Sequence, residues 1–201
     1  MIEVLQITAL HRTTVRLWHL QPVENTHRDL LQVICEQHKF NFLLWHEEDI
    51  ARSPDASDAQ IATVKRAIDG YNQRRNDWIE RIDDNLKRML DERGVVPAPT
   101  ARWNSETPGS TIDRLSILAL RIYHMEEQAE RRDASAEHIA KTRSRLSVLY
   151  TQHDDLSTAL SEHLADLAAG RKRLKLYRQM KMYNDPTLNP AIYNAQLRKA
   201  S

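Results

Sequence analysis

The sequence predicts an all-α fold, an elongated bundle of five to six helices with a long antiparallel helix hairpin and a basic C-terminal arm. Three observations carry this reading. Apolar residues recur every three or four positions over most of the chain. Prolines and glycines fall between those stretches, where helices stop. Alternating strand runs joined by hairpin dipeptides are missing. The 201 residues read as one helical domain, with a body over 1–170 and a basic helix and arm over 171–201.

The first helix is expected from about Ile7 to Leu20, with Leu10, Thr14, Leu17 and Leu20 on one face and Pro22 beyond its end. A second spans about Thr26 to Arg52 and buries Leu30, Val33, Ile34, Phe40, Leu43 and Leu44. Ser53-Pro54-Asp55 ends it, because a residue before proline is pushed out of helical geometry. The third starts at Ser57 or Asp58, both good N-caps, and runs to Arg93-Gly94. Val95 to Gly109 is Pro-rich and reads as an ordered loop, of a length that is often functional. Thr107-Pro108 or Ser110 opens the fourth helix, which ends near Arg132. The fifth is long, from about Ser135 to Ala169, with inward positions from Ile139 to Leu167 at 3.5-type spacing. After Gly170, residues Arg171 to Tyr183 read as another helix, and TLNPAIYNAQLRKAS as an extended arm.

Composition narrows the function classes. Hydrophobic residues make up 41% and charged residues 28%, as in globular proteins. One cysteine, Cys35, cannot form an internal disulfide and fits a reducing compartment. No apolar run approaches the roughly 20 residues of a membrane helix, and the N-terminus does not read as a signal peptide. A cytoplasmic protein with no membrane partner is expected. The four glycines stand singly, which excludes phosphate-cradling loops built on clustered glycines. Residues from Arg171 onward carry +7, and residues 1–170 carry −6. An acidic body with a basic tail suggests a tail that docks on the body or meets an anion, and it argues against nucleic acid.

Four constellations could carry chemistry. On the third helix, Lys65, Asp69, Asn72, Asn76, Glu80 and Asp83 follow steps of three or four and line one stripe, flanked by Arg75 and Asp77. The stripe is either a solvated face or a surface that holds a polar ligand. Trp18-His19, Trp45-His46 and Tyr123-His124 place an aromatic–histidine pair on each of three helices. His46 with Asp49, and His124 with Glu127, share a helix face at i,i+3 and could converge on an acid–base site or a metal. The loop Asn104 to Ser110, with Arg102 before it and Arg114 one turn in, is either a plain cap or an anion site at a helix start. The run Arg171 to Tyr183 interleaves bases with aromatics, which suits a phosphate or the acidic body itself.

Read together, NFLLWHEEDIAR, VKRAIDGYNQRRNDWIERID, WNSETPGSTIDRLSILALRIYHMEEQ and LKLYRQMKMYNDPTLNP resemble a bacterial family catalogued as domain-of-unknown-function family 4254. The resemblance covers essentially the whole chain. It implies an all-helical cytosolic protein and no defined activity, with a cell-envelope glycan pathway as the suggested setting. RRNDWIERIDDNLKRMLDERG is also similar to the first helix of small helical chorismate mutases, which would make Arg75 or Arg81 a carboxylate clamp.

Three function classes follow. The first is a binder or enzyme for an anionic small molecule, a sugar phosphate or nucleotide, in a polar cleft between helices. Its catalytic candidates are His46, His124, Asp49 and Glu80, with histidine as the group that titrates near neutral pH. Its ligand-binding candidates are Asp69, Asn72, Asn76, Asp113, Arg114, Arg178 and Lys181. The second is a helical scaffold that self-associates through its long helices. The third is a metalloprotein using His46, Asp49, His124 and Glu127.

Overall fold

Helix α1 (Val4–Trp18) opens on a capping box, in which the Glu3 side chain accepts from the N3 backbone and the Gln6 side chain accepts from the Glu3 N–H at 3.2 Å. The computed structural model describes residues 2–180, 182 and 185–194, so Lys181 and residues 195–201 of the expected arm lie outside the described residues. Helix α2 (Asp29–Ala51) ends just before Ser53-Pro54. Helix α3 (Asp58–Glu92) is capped by Ser57 in a second capping box with Gln60. Helix α4 (Pro108–Ala129) has Thr107 as its cap and proline at its start, and α5 (Ala136–Ala168) is capped by Ser135. Of the caps offered from sequence, Ser57 rather than Asp58 starts α3 and Thr107 rather than Ser110 starts α4. No helix among the described residues is long and apolar enough to cross a membrane.

The helices meet around a core to which all five contribute: Ile7, Leu30 with Ile34, Ile82 with Leu86, Ile112 with Leu115, and Leu160 with Leu164. A second cluster at the α1–α2–α4 corner joins Leu10, Val15, Trp18, Cys35, Phe42 and Leu120. Gly109 lets the start of α4 approach α3, since a Cβ there would sit 2.7 Å from the Ile79 carbonyl oxygen. Asp83 of α3 accepts the Gly109 N–H at 2.7 Å, so a carboxylate of this chain lies at the positive end of α4. Burial pushes the Asp83 carboxyl up to about 6.

The helix expected from Arg171 is not formed over residues 171–180, which hold a short strand at Lys172–Arg173 and no helix. The cause lies at the end of α5. Gly170 takes φ +66, its N–H bonds Leu167 O at 3.1 Å, and the Arg171 N–H bonds Asp166 O at 2.9 Å. This double bond is the Schellman stop, and it turns the chain out of the helix. Strand β2 (Lys172–Arg173) then pairs in parallel with β1 (Arg102–Trp103) in the Pro-rich loop. The alternation in Arg173-Leu174-Lys175-Leu176 has a period of two, which suits extended chain. The basic segment docks on the acidic body. Arg178 bridges Glu80 and Asp84 at 3.0 and 2.6 Å, and Arg171 pairs with Asp166 at 2.8 Å.

A polar network crosses the core between α2 and α4. Asp113 accepts from Gln37 Nε2 at 2.6 Å and from Asn41 Nδ2 at 2.9 Å, and Arg75 of α3 lies 3.4 Å away. Asn41 also donates to Ser116 Oγ, which shares a 2.6 Å hydrogen bond with His38 Nδ1. The His11 ring lies against His38, with centroids 4.6 Å apart, and both rings are fully buried. Burial lowers the His11 pKa well below its ordinary value and holds His38 down at about 3.

Both histidines therefore stay neutral in the fold while the unfolded chain takes up protons below about pH 6.5. Stability contributed by each is present above that pH and is lost as pH falls toward the folded-state value. We expect urea unfolding from pH 7 to 4.5 to show a pH slope that His11→Phe reduces by about 1.4 kcal/mol per unit below pH 6. An unchanged slope in the variant contradicts this account.

Candidate metal centre

Three histidines from three helices converge at the α1–α2–α4 corner. His19 is the residue that ends α1, His46 lies in the last two turns of α2, and His124 lies in the second half of α4. Each offers one ligating atom, and these atoms all lie within 4.8 Å of one another. The ring centroids of His19 stand 5.1 Å from those of both His46 and His124, and the latter two stand 5.9 Å apart.

The surroundings hold the rings in place. Tyr123 stacks on His19 at 4.2 Å, and Trp45 lies flat on His124 at 4.7 Å with 9° between planes. Phe42, one turn before His46, meets it edge-on at 4.5 Å. The aromatic partners of the dipeptides thus cross over. Tyr123, beside His124 in sequence, stacks on His19, and Trp45, beside His46, stacks on His124.

Hydrogen bonds select the tautomers. His19 Nδ1–H donates to the Val15 carbonyl at 2.7 Å. That carbonyl would bond the backbone N–H four residues on if α1 continued, so the imidazole replaces a bond that the helix end removes. His124 Nδ1 lies 2.9 Å from Glu127 Oε2 and donates to that carboxylate. Each bond leaves Nε2 as the lone-pair nitrogen of a neutral ring. The Nε2 atoms of His19, His46 and His124 are all buried, and none meets a protein hydrogen-bond partner. Burial lowers the His46 pKa, the neighbouring His19 and His124 lower it further, and Asp49 and Glu127 offset part of the effect.

These are the requirements of a transition-metal ligand set. Neutral imidazole nitrogens bind zinc and its neighbours at about 2.0–2.1 Å, which in a tetrahedron puts ligand nitrogens about 3.3 Å apart. Closing from 4.8 Å to that spacing takes each ring inward by less than about 1 Å. A ligating histidine usually donates its other N–H to a carbonyl or carboxylate, as His19 and His124 do here.

The other sequence candidates fall elsewhere. Glu127 stands behind His124 as its hydrogen-bond acceptor, and Asp49 is exposed near His46. Glu80 is held by Arg178 and by the Gln179 N–H. Asp69 is exposed and paired with Lys65 at 2.7 Å, whereas Asn72 and Asn76 are half-buried. The stripe on α3 is therefore solvated at its N-terminal end and turns inward toward Asp83. Asp113 belongs to the α2–α4 network, and Arg114 pairs with Glu106 at 3.1 Å. His19 is the ligand that sequence reasoning left out of the metal set. It has no acidic residue three positions on, but it carries the same aromatic–histidine dipeptide as the other two.

Fold and site together define a helical bundle with a three-histidine cluster at one corner. The profile of the family described as "Protein of unknown function (DUF4254)" matches residues 31–176, and the chain belongs to that family. His46 and His124 fall within the matched span, and His19 precedes it. No curated protein and no solved structure matches the chain.

Long-range ¹H–¹⁵N NMR at neutral pH in the presence of EDTA should find His19 and His124 protonated at Nδ1. A Glu127→Gln variant should retain the His19 tautomer and lose the fixed one at His124. A proton on Nε2 of either ring in the parent protein would contradict the assignment.

Proposed function

We propose that this protein binds a divalent transition metal through His19, His46 and His124, and that the ion is its functional centre. The observation that carries the reading is that His19, His46 and His124 bring one ring nitrogen each within 4.8 Å of the others, and that the Nε2 atoms of all three are buried without a protein partner. A nitrogen buried without a partner is costly, and a coordinated metal removes that cost for all three at once. All-imidazole ligation suits zinc, copper, nickel or iron over magnesium or calcium, which prefer oxygen.

Three protein ligands are the pattern of catalytic rather than structural zinc sites, since they leave a fourth position for water or substrate. A bound ion would supply Lewis acidity at that position, for the oxygen of an anionic small molecule or for a water. The chain's own part is to bring three rings together and to fix the tautomers of His19 and His124. Asp49 and Glu127 supply negative charge near His46. The unpaired, buried Cys35 agrees with a reducing compartment, and we assign the protein to the cytoplasm.

Titration of metal-free protein with Co²⁺ tests this reading. One equivalent should produce intense visible bands of a four- or five-coordinate site, which one equivalent of Zn²⁺ abolishes. His19→Ala, His46→Ala and His124→Ala should each weaken binding by at least about 100-fold, and Glu127→Gln by about 10- to 100-fold. Absent bands, or bands unchanged in the three alanine variants, overturn the proposal.

A further inference from the structure

A second cleft, of about 490 Å³, lies between α1, α4 and α5. Its size is that of a small-molecule site. Val15, Ala119 and Ile122 give it an apolar wall, and Leu5, 75% exposed, stands at its edge. Tyr123 lines it too, with its ring stacked on His19.

The charges in the cleft settle what it can take. Arg16 lies 3.4 Å from Glu126, which also accepts a 2.7 Å hydrogen bond from the Tyr150 hydroxyl. Burial and the Glu126 carboxylate push the Tyr150 phenol up to about 12, so it stays a protonated donor to Glu126. His153 Nδ1 lies 3.4 Å from Asp154. Arg12 is different. It is exposed at the cleft and has no acidic partner among the described residues. Thr8, one turn before it, already donates to the Leu5 carbonyl at 3.2 Å. The cleft thus combines an apolar wall, an ion pair of Arg16 with Glu126, the Asp154 carboxylate beside His153, and a guanidinium, Arg12, without an acidic partner among the described residues.

We infer that this cleft is a binding site for a small amphipathic monoanion, a carboxylate on an aryl or alkyl body, with the carboxylate on Arg12 and the body against Val15, Ala119 and Ile122. A guanidinium presents two parallel N–H donors that match a carboxylate. Arg12 is the guanidinium of the cleft that no described carboxylate occupies, so its donors are open to one carboxylate. The nearby Glu126 and Asp154 carboxylates disfavour a phosphate dianion. The apolar wall supplies affinity that a free inorganic ion cannot use. None of the three histidines lines the cleft, which meets them through Tyr123 and the Val15 carbonyl, so binding is expected with or without a metal.

The test uses 4-phenylbutyrate as probe, on the full chain, with EDTA and again with one equivalent of Zn²⁺. Two-dimensional ¹H–¹⁵N NMR should show saturable shifts at Val15, Ala119 and Ile122 in both conditions. Arg12→Gln should weaken binding at least about tenfold, the loss of one charge-assisted contact. The uncharged 4-phenylbutanol should bind as weakly to the parent as 4-phenylbutyrate does to that variant. Ala9→Trp fills the cleft from an exposed position of α1 and should abolish binding without unfolding the protein. No saturable shifts, shifts that map to another face, equal affinity for acid and alcohol, or binding unchanged in Arg12→Gln each overturn the inference. Phenyl phosphate binding more tightly than 4-phenylbutyrate would overturn the monoanion assignment.

Discussion

A ring nitrogen buried without a hydrogen-bond partner is an unfavourable object, and the α1–α2–α4 corner of this bundle sets three of them facing one another. Much of the local architecture serves that arrangement. Helix α1 stops at Trp18, and His19 turns back to bond the carbonyl that the stop exposes. Phe42, Trp45 and Tyr123 fill the space around the rings and leave little room for other rotamers. Glu127 sits one turn after His124, where its carboxylate reaches Nδ1 and leaves Nε2 to face inward.

The buried carboxylates of the protein are treated differently. Asp113 receives two amide donors and a guanidinium, and Asp83 receives the Gly109 N–H. Nearer the surface, Glu80 and Asp84 receive Arg178 from the returning basic segment. In those places the chain supplies the missing partner itself. His11 is the nearest parallel to the three histidines, with both ring nitrogens buried and unpartnered, but its neighbour His38 bonds Ser116 and the pair does not form a three-ligand set. What separates the corner cluster is convergence combined with the fixed tautomers of His19 and His124.

Much of the fold was legible because helices announce themselves locally. Ser57 and Thr107 are good N-caps by residue type, and each caps the helix expected of it; α5 starts where its spacing placed it, after Ser135. The failure at Arg171 had a local cause that propensity does not report. Gly170 and the pairing of Lys172–Arg173 with Arg102–Trp103 make an extended segment out of residues that would also suit a helix. The site was half legible. His46 and His124 stood out because each has an acid at i+3, yet Asp49 is not in the ligand cluster, and Glu127 holds a ring in place. His19 could not be chosen from spacing, since its partner is a backbone carbonyl and its neighbours come from α2 and α4. The stripe on α3 shows the same limit. Periodicity placed its residues on one face, but the depth of that face changes along the helix, from exposed Asp69 to buried Asp83.

X-ray absorption spectroscopy at the zinc edge, on protein loaded with one equivalent of Zn²⁺, tests the central claim most directly. The account predicts three imidazole nitrogens at about 2.0–2.1 Å, with the multiple-scattering pattern of histidine and one or two light-atom ligands beside them. Loss of one imidazole from the fitted shell in His19→Ala would tie the site to this corner. A shell of oxygen ligands alone, or a spectrum indifferent to His19→Ala, would contradict it.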